Sequence, residues 1–511
     1  MEFLSRDRQY TTVGHPPSTQ QHPTHTLNQT PLPDLTLQSF PLSTRPQRQS
    51  VQIVPGFQVS WIEANQALQD FRSNMLPQFP FVAVPLCTAS DLCKHKPLLL
   101  KVILWAIRPP GTQAAAAFET WFRQHIAQQT VVLMVKNLEL VQAILVFLAW
   151  NNLYFYSSNK EASLLHLAIG LIEDLGLNDR AENTGVASGS VVKDADDMRN
   201  DNPPRPQRTN DDRRAVLGVY YINSVLCCLL GRRSRMEYAP HFDRCCEQLA
   251  RDQEYATDEL LIHLIRLRQF AMKVNDTFWK SSELFEESSL QKVQAIAVSS
   301  LGKELDGLMA QLPDELKSNH LLQNHYMAIR IRLFEPLLHV KRSSGLEPSR
   351  FSYQTLWDCL QSTQMLCEGF HLLPPQSYAP MSFVPILHLA LAIIKCTRLL
   401  LEEGSPWDVV SLRASLDVPA MLQQLSDCFE AANAAGSPRC GILIDGKPIF
   451  AEHAERYRQI SSLYSQRVNA RVGEPVPMMA QGAGPHVEEQ PDRFEFWQQL
   501  ADFTYGMEPL E

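Results

Sequence analysis

Along most of this chain the apolar positions recur at spacings of three and four, the pattern of one face of an α-helix. The densest block is NLELVQAILVFLAWNNLYFYSSNKEASLLHLAIGLIEDLGLND, residues 137–179. Its first half, from about Leu138 to Tyr154, is apolar on nearly every side, which predicts a helix wrapped by other helices. The unbroken apolar run, Ala143 to Trp150, falls well short of the ~20 residues that a membrane span needs. The second half places Leu164, Ala168, Leu171, Ile172 and Leu175 on one face. Gly176 supplies a left-handed stop, and Leu177 folds back over the last turn. Such a hairpin cannot cover its own apolar surface, so an all-α core is expected.

The same spacing predicts helices on both sides. Trp61, Ala64, Leu68, Phe71 and Met75 mark an amphipathic helix between Val51 and Met75. PQFPFVAVP (77–85) follows as an extended connector, because each proline biases its predecessor away from α. Thr88 begins a helix with Asp91 in a capping box. Pro97 opens the next, which stops at Pro109-Pro110, and residues 114–131 add another. Asp212 begins a helix in which Val216, Val219, Tyr220, Asn223 and Cys227 share a face. Pro240 opens a short helix, and Thr257 caps a long one with Asp258 and Glu259 in its first turn. Further helices are expected around 288–312, at 321–340 with an interruption at Pro336, and near 355–371, 383–402, 417–435 and 448–468. The 383–402 helix is the most apolar of these, yet His388, Lys395 and Arg398 interrupt it, which marks a core helix and not a membrane span. No strand alternation and no repeat of fixed period is read.

Polar stretches divide the chain. Residues 1–50 are rich in Pro, Thr, Gln and Ser and read as disordered. Residues 181–211 are polar, broken by Gly and Pro, and read as a disordered loop. The helical material thus falls into a first half, 51–180, and a second half, 212–470. A linker, 471–492, leads to an acidic-aromatic tail, 493–511. In that tail Phe494, Trp497 and Leu500 share a helical face, with Phe496 and Phe503 beside it and acids such as Glu495 and Asp502 between them. Two readings stand. The tail folds into a partner's groove, or it docks as a last helix on the chain's own core.

Composition narrows the class only slightly. Hydrophobic content of 45% and charged content of 20% are ordinary for a globular protein. A net charge of −9 argues against the whole chain being a general polyanion binder, but leaves room for a local basic face. Arg213, Arg214, Arg232, Arg233 and Arg235 are the candidates for contacting phosphate. The alternative is that they complement a helix C-terminus or pair with acids such as Asp211 and Asp212. The 11 cysteines include the adjacent pairs Cys227-Cys228 and Cys245-Cys246 in helical, apolar contexts. They read as reduced thiols of a cytosolic or nuclear protein, and no secretory signal is seen.

Catalytic signatures are missing from the sequence. There is no glycine-rich phosphate loop, dinucleotide fingerprint, His-Glu-x-x-His helix or Cys-x-x-Cys pair. GVASG at 185–189 has its serine one place off the nucleophile-elbow spacing. His166, His263, His325 and His388 lie within helices and read as satisfied core or surface histidines. No catalytic residue, metal ligand or cofactor is assigned, and the expectation is a non-enzyme.

Several stretches carry a family likeness. They are FPFVAVP (79–85), LVQAILVFLAWNNLYF and LLHLAIGLIEDLGLN (within 140–178), and RRAVLGVYYINSVL and HFDRCCEQLA (within 213–250). YATDELLIHLIRLRQ (255–269), LPDELKSNHLLQNHYMAIRIRLFEP (312–336) and the closing FWQQLADF complete the set. In this order and spacing they resemble the middle homology region of fungal binuclear zinc-cluster transcription factors, over about residues 75–440 and the tail. The resemblance implies an all-α, multi-helix regulatory domain, nuclear residence and regulation of transcription. Within the family, the subtype is similar to regulators of specialised-metabolite gene clusters. The implied partners are the transcription machinery or co-activators and a second copy or a complete family member, with DNA engaged indirectly or weakly and no membrane. The family reads DNA through six cysteines holding two zinc ions near the N-terminus, and residues 1–86 contain no cysteine. The expectation is therefore action through protein contacts. One alternative is that an upstream coding segment carries the zinc cluster. Another is an α-helical metabolite-binding protein or enzyme with a pocket between its helices.

Overall fold

The structure, a computed structural model, describes residues 50–108, 112–151, 160–178, 208–230, 234–281, 287–338, 350–401, 409–436, 443–444 and 447–472. The chain divides into two units, Met1–Arg48 and Gln49–Glu511, and all described residues belong to the second. The loop read at 181–211 lies almost wholly outside the described residues, and the tail entirely so.

The first described element corrects the sequence reading. Ser50–Val54 (β1) and Phe57–Ser60 (β2) form an antiparallel hairpin pairing Val51 with Val59 and Gln52 with Gln58. Val51, Ile53, Phe57 and Val59 point into the core while both glutamines face solvent. This is the period-two alternation of a half-buried strand. Gly56, at φ +82°, makes the turn in a conformation that L side chains rarely adopt. The helix expected from Val51 begins only at Trp61. Ser60 caps Trp61–Asp70 (α1) in a reciprocal box: its Oγ accepts from Glu63 N at 3.3 Å, and Glu63 Oε2 accepts from Ser60 N at 3.0 Å.

The chain then passes through a π-turn, Phe71–Met75, and a 3₁₀ turn, Leu76–Gln78. The connector behind them runs through the interior, with residues 78–84 all buried. Loops usually stay on the surface because buried carbonyls need donors. Where the connector leaves the interior, Arg72 donates to the carbonyls of Val84, Pro85 and Cys87 at 3.3, 2.5 and 3.0 Å.

Ala89–His95 (α2) starts at Thr88, whose Oγ1 accepts from Asp91 N, and Pro97–Ile107 (α3) has its proline in the first turn, both as expected. The carboxylate of Glu139 accepts from Leu98 N and Leu99 N, at 2.6 and 3.1 Å, and so caps α3 from another helix. Thr112–Ala127 (α4) leads to Leu138–Trp150 (α5), in which every residue from Leu140 onward is buried. The expected end at Tyr154 gives way to one at Trp150. Lys160–Asp174 (α6) ends as read: Gly176 sits at φ +66°, and Leu177 N donates to Ile172 O at 2.9 Å.

Asn210–Leu230 (α7) lies against α5 and α6 and buries the face that the spacing assigned to it. Pro240–Asp252 (α8) and Asp258–Ser281 (α9) pack on α7. Thr257 does not cap α9, since its hydroxyl has no hydrogen-bond partner. The Asp258 carboxylate instead accepts from Tyr255 N, just upstream of the helix, at 3.0 Å. Glu287–Ala310 (α10), Asp314–Lys317 (α11), His320–Leu338 (α12), Arg350–His371 (α13) and Phe383–Leu401 (α14) follow. Val409–Ser415 (α15), Val418–Ala434 (α16) and Ile449–Val472 (α17) close the described body. A second short pairing, Leu443–Ile444 (β3) with Lys447–Pro448 (β4), sits between α16 and α17. The fold is all-α apart from these two pairings among the described residues. Of the described helices, α14 has the length and apolarity to cross a membrane. It packs instead on α12, α13 and α17, and most of its residues are buried.

Candidate functional site

Four helices, α7, α9, α12 and α14, bring polar side chains to one place inside the body. On α7, Tyr221 and Ser224 come from a helix whose other turns are filled by Val219, Ile222 and Val225. Tyr221 Oη lies 2.8 Å from His325 Nε2 of α12. Asn324, beside it, accepts at Oδ1 from His388 Nδ1 of α14 at 2.7 Å, so a neutral His388 carries its proton on Nδ1. The rings of His325 and His388 meet edge to face, 4.9 Å apart at 82°. Burial removes both imidazoles from water and penalises their charged forms. It pushes His388 down to about 3, with the Arg268 charge adding to the shift. His325 is held well below its ordinary value by the same burial, followed by the neighbouring His388 and Arg268. Both rings are neutral at neutral pH.

Arg268, on α9, is the charged member of the group and is 2% exposed. Its Nε donates to Ser224 Oγ at 3.1 Å and its Nη2 to Ser224 O at 2.8 Å. Ser224 Oγ in turn donates to Tyr221 O at 2.8 Å. Beside this group lies a partly open cavity of about 110 Å³. Arg268, Arg332, Lys395 and His388 line it together with Cys228 and aliphatic side chains such as Val274, Ile329 and Leu391, and no Asp or Glu is among its lining residues.

The arginines singled out in the sequence do not form one site. Arg214 is 0% exposed and is held by Asp258, Glu254 and Asp211 at 2.7, 2.9 and 3.3 Å. Its guanidinium also lies over the Tyr255 ring, 4.6 Å from the centroid. Burial opposes its charge, but the Asp258 and Glu254 carboxylates more than offset that and hold its pKa above the ordinary arginine value. This corrects the phosphate-contact reading for Arg214 in favour of pairing with acids. Arg213 is half-buried and donates to Asn210 Oδ1 at 3.0 Å. Arg235 is exposed but follows the far end of the 21-residue α7, whose end at Leu230 lies about 26 Å along the axis from Arg213. Arg232 and Arg233 lie outside the described residues, as do the tail positions Phe494, Phe496, Trp497, Leu500 and Phe503.

Of the four helical histidines, His325 and His388 are hydrogen-bonded in the core, while His166 is exposed and His263 half-buried. Among the described residues no group of three or more His, Cys, Asp or Glu side chains is placed to hold a metal ion. The sequence reading missed Arg268, Asn324 and Ser224. A signal existed for Arg268: it lies on the apolar face of α9 between Leu264, Leu267 and Ala271, where a charge needs a reason.

The described body is helical and holds a partly open cavity lined by cationic and aliphatic side chains. The WAR1 C-terminal domain family matches residues 36–367, and the chain belongs to that family. The match ends within α13, so α14, with His388 and Lys395, lies beyond it. Three curated relatives are similar over much of the chain. Transcription factor opdL of Penicillium oxalicum is 26% identical over 366 residues, 70% of this chain and 63% of the relative. Transcription factor himD of Aspergillus japonicus is 26% identical over 431 residues, 82% of this chain and 70% of the relative. Transcriptional regulator WAR1 of Candida albicans is 23% identical over 385 residues, 73% of this chain and 38% of the relative. The chain thus spans only part of the length of these relatives. No solved structure matches it.

Proposed function

We propose that this chain is the regulatory body of a fungal transcriptional regulator that acts through protein contacts and not through catalysis. The carrying observation is the family match over residues 36–367, joined to relatives that are themselves named transcription factors or a transcriptional regulator. The all-helical packing fits a scaffold that presents surfaces to other proteins. On this reading the protein resides in the nucleus and regulates a specialised-metabolite gene cluster. It meets DNA through a zinc cluster supplied either by a segment outside this chain or by a complete family member paired with it. The acidic-aromatic tail, with Phe494, Phe496, Trp497, Leu500 and Phe503, is the proposed contact with the transcription machinery.

The test is a reporter assay. Residues 486–511, and separately the whole chain, are fused to a heterologous DNA-binding domain. Expression is expected to rise with both fusions and to fall when Trp497 and Phe503 become Ala. No change with either fusion would overturn the activating reading of the tail. The cavity favours a second reading beside this one: that the body also binds a small molecule.

A further inference from the structure

Single exposed apolar side chains are ordinary, but several grouped along one element mark a contact surface. Arg350–His371 (α13) carries such a group. Trp357 and Met365 are 40% and 46% exposed, and Leu372, the residue after the helix, is 81% exposed. At 100° per residue, Trp357, Gln364, Met365 and Glu368 fall within an arc of about 100°, and Leu372 continues the strip. The strip runs about 22 Å along the axis. The opposite side of α13, with Leu356, Cys359 and Leu366, is buried.

Beside this strip, between the last turns of α13 and the junction of α15 with α16, lies an open groove of about 330 Å³. Leu416, Met421 and Leu425 form its apolar side, and Gln364, Glu368 and Asp417 its polar side. A cavity of about 150 Å³ accepts benzene, so the groove has room for two large apolar side chains. Its acids lack a counter-charge. Glu368 accepts from Gln364 Nε2 at 2.8 Å and Asp417 from Ala420 N at 3.0 Å, and neither forms an ion pair among the described residues. No Lys or Arg is among the lining residues. An apolar trough with an acidic rim complements apolar side chains flanked by bases. The same charge argument disfavours two other occupants. The chain's own tail carries Glu488, Glu489, Asp492, Glu495 and Asp502 against Arg493. A second copy docked about a two-fold axis would set the patch against itself, bringing Glu368 and Asp417 toward their own counterparts.

We propose that the groove between α13 and α16, with the strip beside it, docks an amphipathic helix of a partner protein. Its apolar side chains sit against Met365, Leu372 and Met421, and its flanking Lys or Arg side chains face Glu368 and Asp417. A helix of about four turns spans the strip, and side chains at i, i+3, i+4 and i+7 are the ones such a groove anchors. The proposal rests on the reading of a body that acts through protein contacts, and it names the surface and the chemistry of the partner.

The experiment is fluorescence anisotropy of the full purified chain with two labelled, Ala-based helices of about 16 residues. Both carry one stripe of Leu at helical spacing; one is flanked by Lys and the other by Glu. The Lys-flanked helix is expected to bind saturably at one site, about tenfold or more tighter than the Glu-flanked one, with the preference shrinking as salt rises. Glu368→Lys is expected to weaken it by about threefold to tenfold, since it reverses one exposed charge. Ala420→Trp fills the groove and Leu372→Ser removes an apolar seat, and the two together are expected to abolish saturable binding. All three positions are exposed, so thermal unfolding should stay near that of the unaltered chain. No saturable binding of the Lys-flanked helix, or equal binding of both helices, would overturn the proposal. Binding that survives Ala420→Trp with Leu372→Ser would do the same, as a diffuse pull of the net charge of −9. A peptide of residues 486–511 that displaces the Lys-flanked helix would make the tail the occupant. A dimer seen in sedimentation and dissolved by Ala420→Trp would make it a second copy; either result overturns the partner reading. The assay uses neither DNA nor a reporter, so its failure and that of the reporter test are told apart.

Discussion

Arg214 and Asp258 face each other through two parallel hydrogen bonds, Nε to Oδ1 at 2.7 Å and Nη2 to Oδ2 at 2.8 Å, in a part of the body closed to water. Asp258 is the first residue of α9, and the same carboxylate accepts from Tyr255 N in the turn that precedes the helix. One pair thus ties the start of α9 to α7. Asp211 extends the network to Lys96 at 2.9 Å and to Gln142 of α5 at 3.4 Å. Removing one partner from a buried pair leaves the other charge stranded. Arg214→Met is expected to cost about 3–5 kcal/mol in urea unfolding. Arg214→Lys is expected to recover only part of it, because an ammonium cannot make the fork. A cost near that of an exposed pair, below about 1 kcal/mol, would contradict the role assigned here.

The buried histidines set an acid limit. His388 is held at about 3 by burial and then by Arg268, and His453 at about 3 by burial and then by Arg456. In the unfolded chain each titrates near 6.5. Below that value the unfolded state binds protons that the folded state refuses, so stability falls as pH drops from about 6.5 toward 3. Between pH 7 and 5 each is expected to remove about 2 kcal/mol. Urea midpoints at the two pH values measure the drop. His388→Gln should shrink it by about that one share; an unchanged drop would contradict the assignment.

The buried connector depends on a gap in α7. A Cβ on Gly218 would meet Phe81 Cβ at 2.7 Å and Leu145 Cδ1 at 3.0 Å, both parts of packed core residues. Gly218→Ala is expected to destabilise by about 1–3 kcal/mol. Gly170 in α6 has open space around it, and Gly170→Ala there is expected to stabilise by about 0.5–1 kcal/mol. Thermal unfolding of the two variants should move in opposite directions. Stabilisation by both substitutions would show that helix propensity and not Phe81 governs Gly218.

Arg72 carries the polar side of the same passage. Arg72→Met leaves the carbonyls of Val84 and Cys87 without the donor that now serves them, while Pro85 O keeps its bond from Cys87 N at 2.8 Å. The expected cost is about 2–3 kcal/mol, set by the penalty on unsatisfied carbonyls and eased where Pro85 reaches solvent. Amide exchange should quicken first around residues 79–87. Uniform quickening across α5 and α7 would point to global loss instead.

Helix positions were legible because helical periodicity is local. The glycine stop after α6, the cap of α2 and the apolar faces of α5 and α7 each follow from residues a few positions apart. The hairpin at 50–60 was not, because its alternation is short and abuts the stronger helical spacing that begins at Trp61. The chain alone gave an all-α body, and His388, Lys395 and Arg398 marked the apolar helix at 383–402 as a core helix. Only the tertiary structure decided which arginine is paired. Arg214 and Arg268 are both bases on largely apolar helices, although Asp211 stands one turn before Arg214. Asp258 is 44 residues from Arg214 and reaches it only after α7 and α9 pack, whereas among the described residues no acid arrives at Arg268. Electrostatic pairing depends on distances across helices, and one-dimensional spacing does not carry those distances.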